Sequence, residues 1–479
     1  VKAKWTQPAL LLSMIIVLAA AALYLKSVGF YGGEEGKSLQ TQSTQSPLPA
    51  QPSVSPGAVL STDQMQKDLD FLVNTISSIH PALMNGWSSG QKQVITEAYS
   101  QIQTPQREAD FYFIVDAIVS LVHDEHTNIY WDKQEQEMLD LPLHWIRDGL
   151  VVTEDRGDLH IGDIVTAVGG VSIEELEQEL AKVVPAENDQ WVRVQGTSLL
   201  RAAFILRHLG LIVEDQVEVT VQRGTESISA TMPVTGKQLS NEYSPYPKAD
   251  PPFSYLFEDD LSLGIFQLNT CENNRQYQIT VKQFFEDVKA RDIKHIAVDL
   301  RNNGGGASSV IDEFLSYLDI KSYYNYGALL RYSPQVKEVY GAEQSSGYVE
   351  SGRQLTQNIL KTLRPYKGKL YLLTSPRTFS SANMFAVIVQ DNGLGKIIGE
   401  ATGNQPSSYG DVLGFQLPAS GIRFQVSFKK FTRSAPDRDP EDSLHPDIEA
   451  YTTVDDIIER RDAQLAKLRE VVQAANHTD

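Results

Sequence analysis

From Leu263 onward the chain alternates short apolar runs with amphipathic stretches, and few architectures accept that pattern. Leu263–Leu268, His295–Leu300, Lys369–Thr374 and Lys396–Gly399 read as strands. Between them, stretches near Tyr277–Ala290, Ser308–Leu318 and Ser380–Asp391 carry helical periodicity. A strand that returns to a parallel neighbour needs a crossover, usually a helix, so the alternation predicts an α/β core with parallel strands. Its expected bounds are residues 250–455, opening after a Pro-rich break at Tyr243–Pro252.

Upstream the pattern changes. Leu69, Leu72, Val73, Ile76 and Ile79 fall on one helical face that Pro81 ends, and a second helix is expected over about Glu108–Val122. Residues 62–142 therefore read as a helical module, running into His123-Asp124-Glu125-His126-Thr127 and a β-like stretch, Asn128–Trp131. Residues 143–236 read as a mixed segment. In it, Ile161–Gly170 is a loop, a strand and a tight turn, Ser172 and Glu175 form a helix-opening capping box, and Val217–Val221 alternates as a strand. Residues 456–479 are expected as a charged C-terminal helix.

At the N-terminus, Lys2 and Lys4 precede an uncharged apolar run from Pro8 to Leu25. About 20 such residues cross a bilayer core, and the flanking lysines place the N-terminus on the cytoplasmic side. Residues 1–31 are expected to be an uncleaved transmembrane anchor rather than a signal peptide, because Leu23-Tyr24-Leu25 is a poor cleavage site. Residues 32–61, rich in Gln, Ser, Pro and Gly, read as a flexible stalk, with the rest of the chain extracytoplasmic at the cell membrane.

The balance of 42 Lys plus Arg against 61 Asp plus Glu, net −19, argues against a nucleic-acid partner. The single cysteine, Cys271, excludes an intramolecular disulfide and reads as a small core residue.

Two junctions carry chemistry. At Leu372-Leu373-Thr374-Ser375-Pro376-Arg377-Thr378-Phe379-Ser380-Ser381-Ala382, an apolar strand turns into a helix at Ser380. A serine there sits beyond a strand's carboxyl end, where open α/β sheets bind ligands, and at a helix N-terminus that favours developing negative charge. Those features suit a nucleophile, and equally a plain N-cap. At Asp299-Leu300-Arg301-Asn302-Asn303-Gly304-Gly305-Gly306, a strand meets three glycines, whose N–H groups could form an oxyanion hole. Neither the GxxxxGK[ST] phosphate loop nor the GxGxxG fingerprint is present there.

With Ile398-Gly399-Glu400-Ala401-Thr402-Gly403 and Pro446-Asp447-Ile448, these motifs make residues 62–455 resemble the C-terminal processing (tail-specific) peptidase family. The resemblance implies a crotonase-like α/β core, a helical N-terminal module and a PDZ-like segment, for which Ile161-Gly162-Asp163-Ile164 is the marker. It implies a serine peptidase acting on polypeptides, with Ser380 as nucleophile, an oxyanion hole from Gly304, Gly305 and Ser381, and no cofactor. The family's best-known members activate their serine with a lysine, and that position here is Gln405. A lysine-lacking, tricorn-like branch uses a histidine in an Asp-x-His-Thr stretch, matched by Asp124-Glu125-His126-Thr127. The resemblance thus makes His126 the base, with His123 as fallback. It makes Glu441 the orienting acid, with Asp439 and Asp442 as rivals. His123 and His126 lack the HExxH spacing of metalloproteases, so no metal is expected. The other reading is a binding protein that kept the fold and lost the chemistry.

Overall fold

The structure, a computed structural model, describes residues 58–130, 137–236, 244–246 and 250–477. The expected anchor lies outside these residues, as does the expected stalk up to residue 57. Among the described residues no helix is long and apolar enough to cross a membrane. The last residues assigned to the stalk are folded: Val59–Leu60 pairs antiparallel with Gln106–Arg107, and Ser61 caps the first helix in a capping box with Gln64.

The core is a six-stranded sheet in the order Phe253–Glu258, Leu263–Leu268, His295–Asp299, Lys369–Thr374, Lys396–Gly399 and Ile448–Glu449. The first pair is antiparallel and all others are parallel. Central strands such as His295–Asp299 are buried on both faces, which is why they read as continuous apolar runs. Helices Arg275–Ala290, Ser309–Leu315 and Ser381–Asp391 cover one face, and Ala463–Asn476 packs on the other. The C-terminal helix is not continuous. Arg460 adopts a left-handed conformation (φ +55°) after Val454–Glu459, and Asp462 caps a second helix, Ala463–Asn476.

An antiparallel five-stranded sheet was not expected. The hairpin Tyr409–Gln416 and Arg423–Thr432 extends through Gly327–Arg331 to Tyr348–Ser351. Ile129–Tyr130, the strand after the helical module, pairs with Arg423–Phe424. That pairing ties the N-terminal module to the core beside the second catalytic candidate, His126.

The N-terminal module holds three helices, Thr62–Ile79, Ser89–Gln101 and Glu108–Val119. The region after it is a seven-stranded, wholly antiparallel sheet with helices Ile173–Leu180, Asp189–Leu199 and Ala203–His208. Within it the turn at Gly169-Gly170 and the Ser172–Glu175 capping box lie where the sequence put them.

Candidate active site

The strand Lys369–Thr374 leaves the parallel sheet and turns sharply before the helix Ser381–Asp391. The turn is locked to its neighbour. Ser375 Oγ donates to Arg301 O, Thr378 Oγ1 donates to Leu300 O, and Phe379 N donates to Asn303 O at 3.0 Å. Arg301, almost fully buried, grips Asp299 through Nε and Nη2 and reaches Asp462 and Gln464 with Nη1. The two sequence junctions are therefore one laced structure at the carboxyl edge of adjacent strands.

Ser380 sits at the apex with φ +51° and ψ −126°. A non-glycine residue held there carries roughly 1–3 kcal/mol of strain, the kind of backbone that presents a nucleophile at a strand-to-helix elbow. Its hydroxyl makes no capping bond to its helix, so the N-cap alternative fails. Instead Ser380 Oγ lies 3.0 Å from His126 Nε2. Its N–H donates to Asn404 Oδ1 at 2.9 Å, which fixes the elbow from the opposite side.

His126 arrives from the N-terminal module on a loop folded around Asp124. The 3₁₀ turn Ser120–Val122 stops at His123, the fallback base, which is exposed and left-handed (φ +49°) as the turn's C-cap. Fully buried Asp124 then accepts His126 N at 3.0 Å, Thr127 Oγ1 at 2.7 Å and His80 Nε2 at 3.1 Å. His80 Nδ1 accepts Ala82 N, so a neutral His80 donates through Nε2. Burial alone would raise the Asp124 carboxyl; the adjoining His126 and His80 rings outweigh it and hold it well below the usual range. Asp124 Oδ1 stands 3.6 Å from His126 Nδ1. That nitrogen is buried and has no hydrogen-bond partner among the described residues.

Glu441 is not brought to His126. Its carboxylate accepts Arg433 Nη1 at 2.6 Å and lies 3.4 Å from Arg438 Nη2, in a cluster built around buried Arg433 and Asp391. Of its rivals, Asp439 accepts the Ser407 hydroxyl and Asp442 pairs with His445.

The glycines divide. Gly305 has φ +106°, and a Cβ there would meet Ser380 Cβ at 2.5 Å, so only glycine allows the two turns to close. Its N–H is occupied by Asn303 Oδ1 at 2.8 Å, which removes it as an oxyanion donor. The N–H groups of Gly304 and Ser381 have no hydrogen-bond partner among the described residues. Cys271 is buried beside this loop and burial pushes its thiol up to about 12, in keeping with a core role.

Two residues near the base carried no sequence signal. The inserted antiparallel domain contributes Glu187 and Trp191, whose ring lies 4.2 Å from that of Phe379. Gln405, at the missing-lysine position, donates from Nε2 to Glu187 O at 3.2 Å. Donor atoms of Asp124, His126 and Glu187 all lie within 4.8 Å of one another. A divalent ion could use that spacing, but Asp124 already accepts three hydrogen bonds and His126 Nε2 is engaged with Ser380.

Fold and matched family together define a serine-type peptidase. Residues 262–450 match the model of peptidase family S41, a span that holds Ser380 and the glycine turn. Among solved structures, mature CPAF in complex with lactacystin is similar with a TM-score of 0.63 at 14% identity, over 87% of this chain and 99% of that one. Mature CPAF alone gives 0.62 at 14% identity, over 87% and 98%. The photosystem II D1 C-terminal processing protease aligns over 81% of this chain and 92% of its own at 14% identity, with a TM-score of only 0.42. The CPAF likeness establishes a shared fold. No curated protein matches the chain.

Proposed function

We propose that the chain is an endopeptidase that cleaves polypeptides through an acyl-enzyme on Ser380, with His126 as its base. The observation that carries this is the 3.0 Å approach of His126 Nε2 to a serine hydroxyl presented on a strained elbow. In the first half-reaction Ser380 Oγ bonds to the scissile carbonyl carbon while its proton passes to His126 Nε2. The N–H groups of Ser381 and Gly304 receive the oxyanion. The C–N bond then breaks, the amine leaves with the proton from His126, and an ester remains on Ser380. Water, deprotonated by His126, hydrolyses that ester and restores both groups. A His base in place of a lysine fits Gln405 at the lysine position, whose side chain is turned to Glu187.

Polypeptide substrates accord with the family match and with residues 143–236 acting as a PDZ-like module that recruits chain ends. The apolar run Pro8–Leu25, its lysines and the polar stretch behind it support an anchored enzyme working outside the cytoplasm. The binding-protein alternative has no use for a serine hydroxyl that leaves its helix uncapped and lies 3.0 Å from an imidazole nitrogen. The test is casein cleavage by wild type, Ser380→Ala and His126→Gln, each checked for folding by thermal melting. Both variants should melt normally and lose cleavage; full activity in folded Ser380→Ala would leave only the binding reading.

A further inference from the structure

The base has an unmet requirement. A general base whose second nitrogen bonds nothing is free to rotate, and a buried N–H without a partner costs about 1–3 kcal/mol. His126 Nδ1 is in that position, with the nearest Asp124 oxygen at 3.6 Å, beyond a hydrogen bond. Glu441, the acid expected there, is spent on Arg433 and Arg438.

Directly alongside is the complementary deficit. Both carboxyl oxygens of Glu187 are buried and have no hydrogen-bond partner among the described residues. Glu187 approaches His126 and Asp124 with donor atoms within 4.8 Å. A buried acid without a protein partner is costly for a fold to hold, and such groups persist where they serve a function.

The loop that carries Glu187 is held in place by the peptidase core. Asn188 Nδ2 donates to Asp442 O at 2.8 Å, lies 3.0 Å from Ser443 Oγ and reaches Thr402 O at 3.3 Å. Asn188 Oδ1 meanwhile caps the helix that follows by accepting Trp191 N. Gln405 holds the backbone carbonyl of Glu187 itself. Trp191 packs on Phe379, the residue before the nucleophile, and a Cβ on Gly403 would strike its ring at 2.7 Å. Apart from that cap, these contacts cross from the inserted domain to the core.

We propose that Glu187 is the positioning residue of the His126 base, accepting a hydrogen bond from Nδ1–H and thereby making catalysis depend on the inserted domain being seated on the core. This rests on the Ser380–His126 reading. Glu187 forms no bond to substrate. It fixes the ring so that Nε2 faces Ser380, and it faces the positive charge that the ring acquires when the serine proton arrives. Burial, with Asp124 and Glu125 facing it, raises this carboxyl well above the usual carboxylate range, and Asn404 beside it works the other way.

The experiment compares wild type with Glu187→Ala, Glu187→Gln and His126→Gln in the full chain. Its readouts are kcat and KM on a peptide substrate, thermal melting, and the Nδ1–H proton resonance of ¹⁵N-histidine-labelled protein. Glu187→Ala should lower kcat on the order of 10²-fold, the scale of a misplaced catalytic group, with KM and melting temperature held or the latter raised. The resonance should vanish. Glu187→Gln, which can still accept from Nδ1–H, should recover part of kcat and keep the resonance. If Glu187→Ala matches wild type in kcat while His126→Gln is inactive, Glu187 has no positioning role and the base assignment stands. If His126→Gln itself keeps full activity, the base assignment falls and the proposal with it. A Glu187→Ala loss that appears only as a lower melting temperature marks the residue as structural and overturns the proposal.

Discussion

The two halves of the active site are built by opposite means. Ser380 is held by its own neighbourhood: a strand inside a parallel sheet, a turn pinned to Leu300, Arg301 and Asn303, and a helix that begins one residue later. His126 is held by parts remote in sequence. Asp124 shapes its loop by gripping His80, 44 residues upstream, and the core accepts that loop through Gln425 and Ser427, about 300 residues downstream. The nucleophile belongs to one compact unit, whereas the base exists only when three regions of the chain are assembled. Separating them would leave a well-formed serine with no base, so assembly itself becomes a condition of activity.

If that contrast is right, lesions on the two sides should fail differently. The largest effect belongs to His126→Gln, which should reduce kcat/KM on the order of 10⁴-fold or more with little change in melting temperature. Gly305→Ala comes next. At φ +106° and 2.5 Å from Ser380 Cβ, the added methyl must displace the nucleophile. A fall of about 10²–10³ in kcat is expected, with KM nearly held, and unchanged turnover would show that the elbow is not under this constraint.

Asp124→Ala should act through stability instead. It strands the His126 amide, the Thr127 hydroxyl and His80 in the interior, a loss of about 3–5 kcal/mol that chemical denaturation would detect. The wild-type contribution has a defined sign with pH. Because the folded carboxyl titrates below its unfolded value, the stabilisation is present above about pH 4 and is lost as pH falls further.

Glu125 gives the smallest and opposite effect. Burial pushes its carboxyl up to about 7, so the folded state holds a proton that the unfolded state releases. Stability from this group is greatest below about pH 4 and declines as pH rises through 7. Glu125→Gln should therefore melt above wild type at pH 8 and converge with it at pH 5; parallel curves would mean that the side chain is not titrating there.

The same contrast explains what could be read from the amino-acid string. The nucleophile was legible because its signals are local: an apolar strand, a turn and a helix start within Lys369–Asp391, and glycines directly after His295–Asp299. The base was legible only through resemblance, since nothing within Asp124–Thr127 states which distant serine it will meet. Glu441 shows the limit most clearly. An acid in an acidic run carries no mark of its partner, and buried Arg433, eight residues earlier, takes it before His126 can. Glu187 and Trp191 had no signal, because their roles come from how one domain sits on another. The helix Ser89–Gln101 escaped notice because it buries only Ile95 and Ala98. The hairpin at Tyr409–Thr432 was hidden by mixed burial along both strands, which blurs the alternation that marks a half-buried strand.

The claim on which the rest depends is that His126 activates Ser380. It is tested most directly by exposing the folded protein to a fluorophosphonate, which bonds covalently to an activated serine, and locating the adduct by mass spectrometry in wild type and in His126→Gln. The account predicts a single adduct on Ser380 in wild type and none in the variant over the same time. An unlabelled Ser380 in wild type, or equal labelling rates in the two proteins, would contradict it.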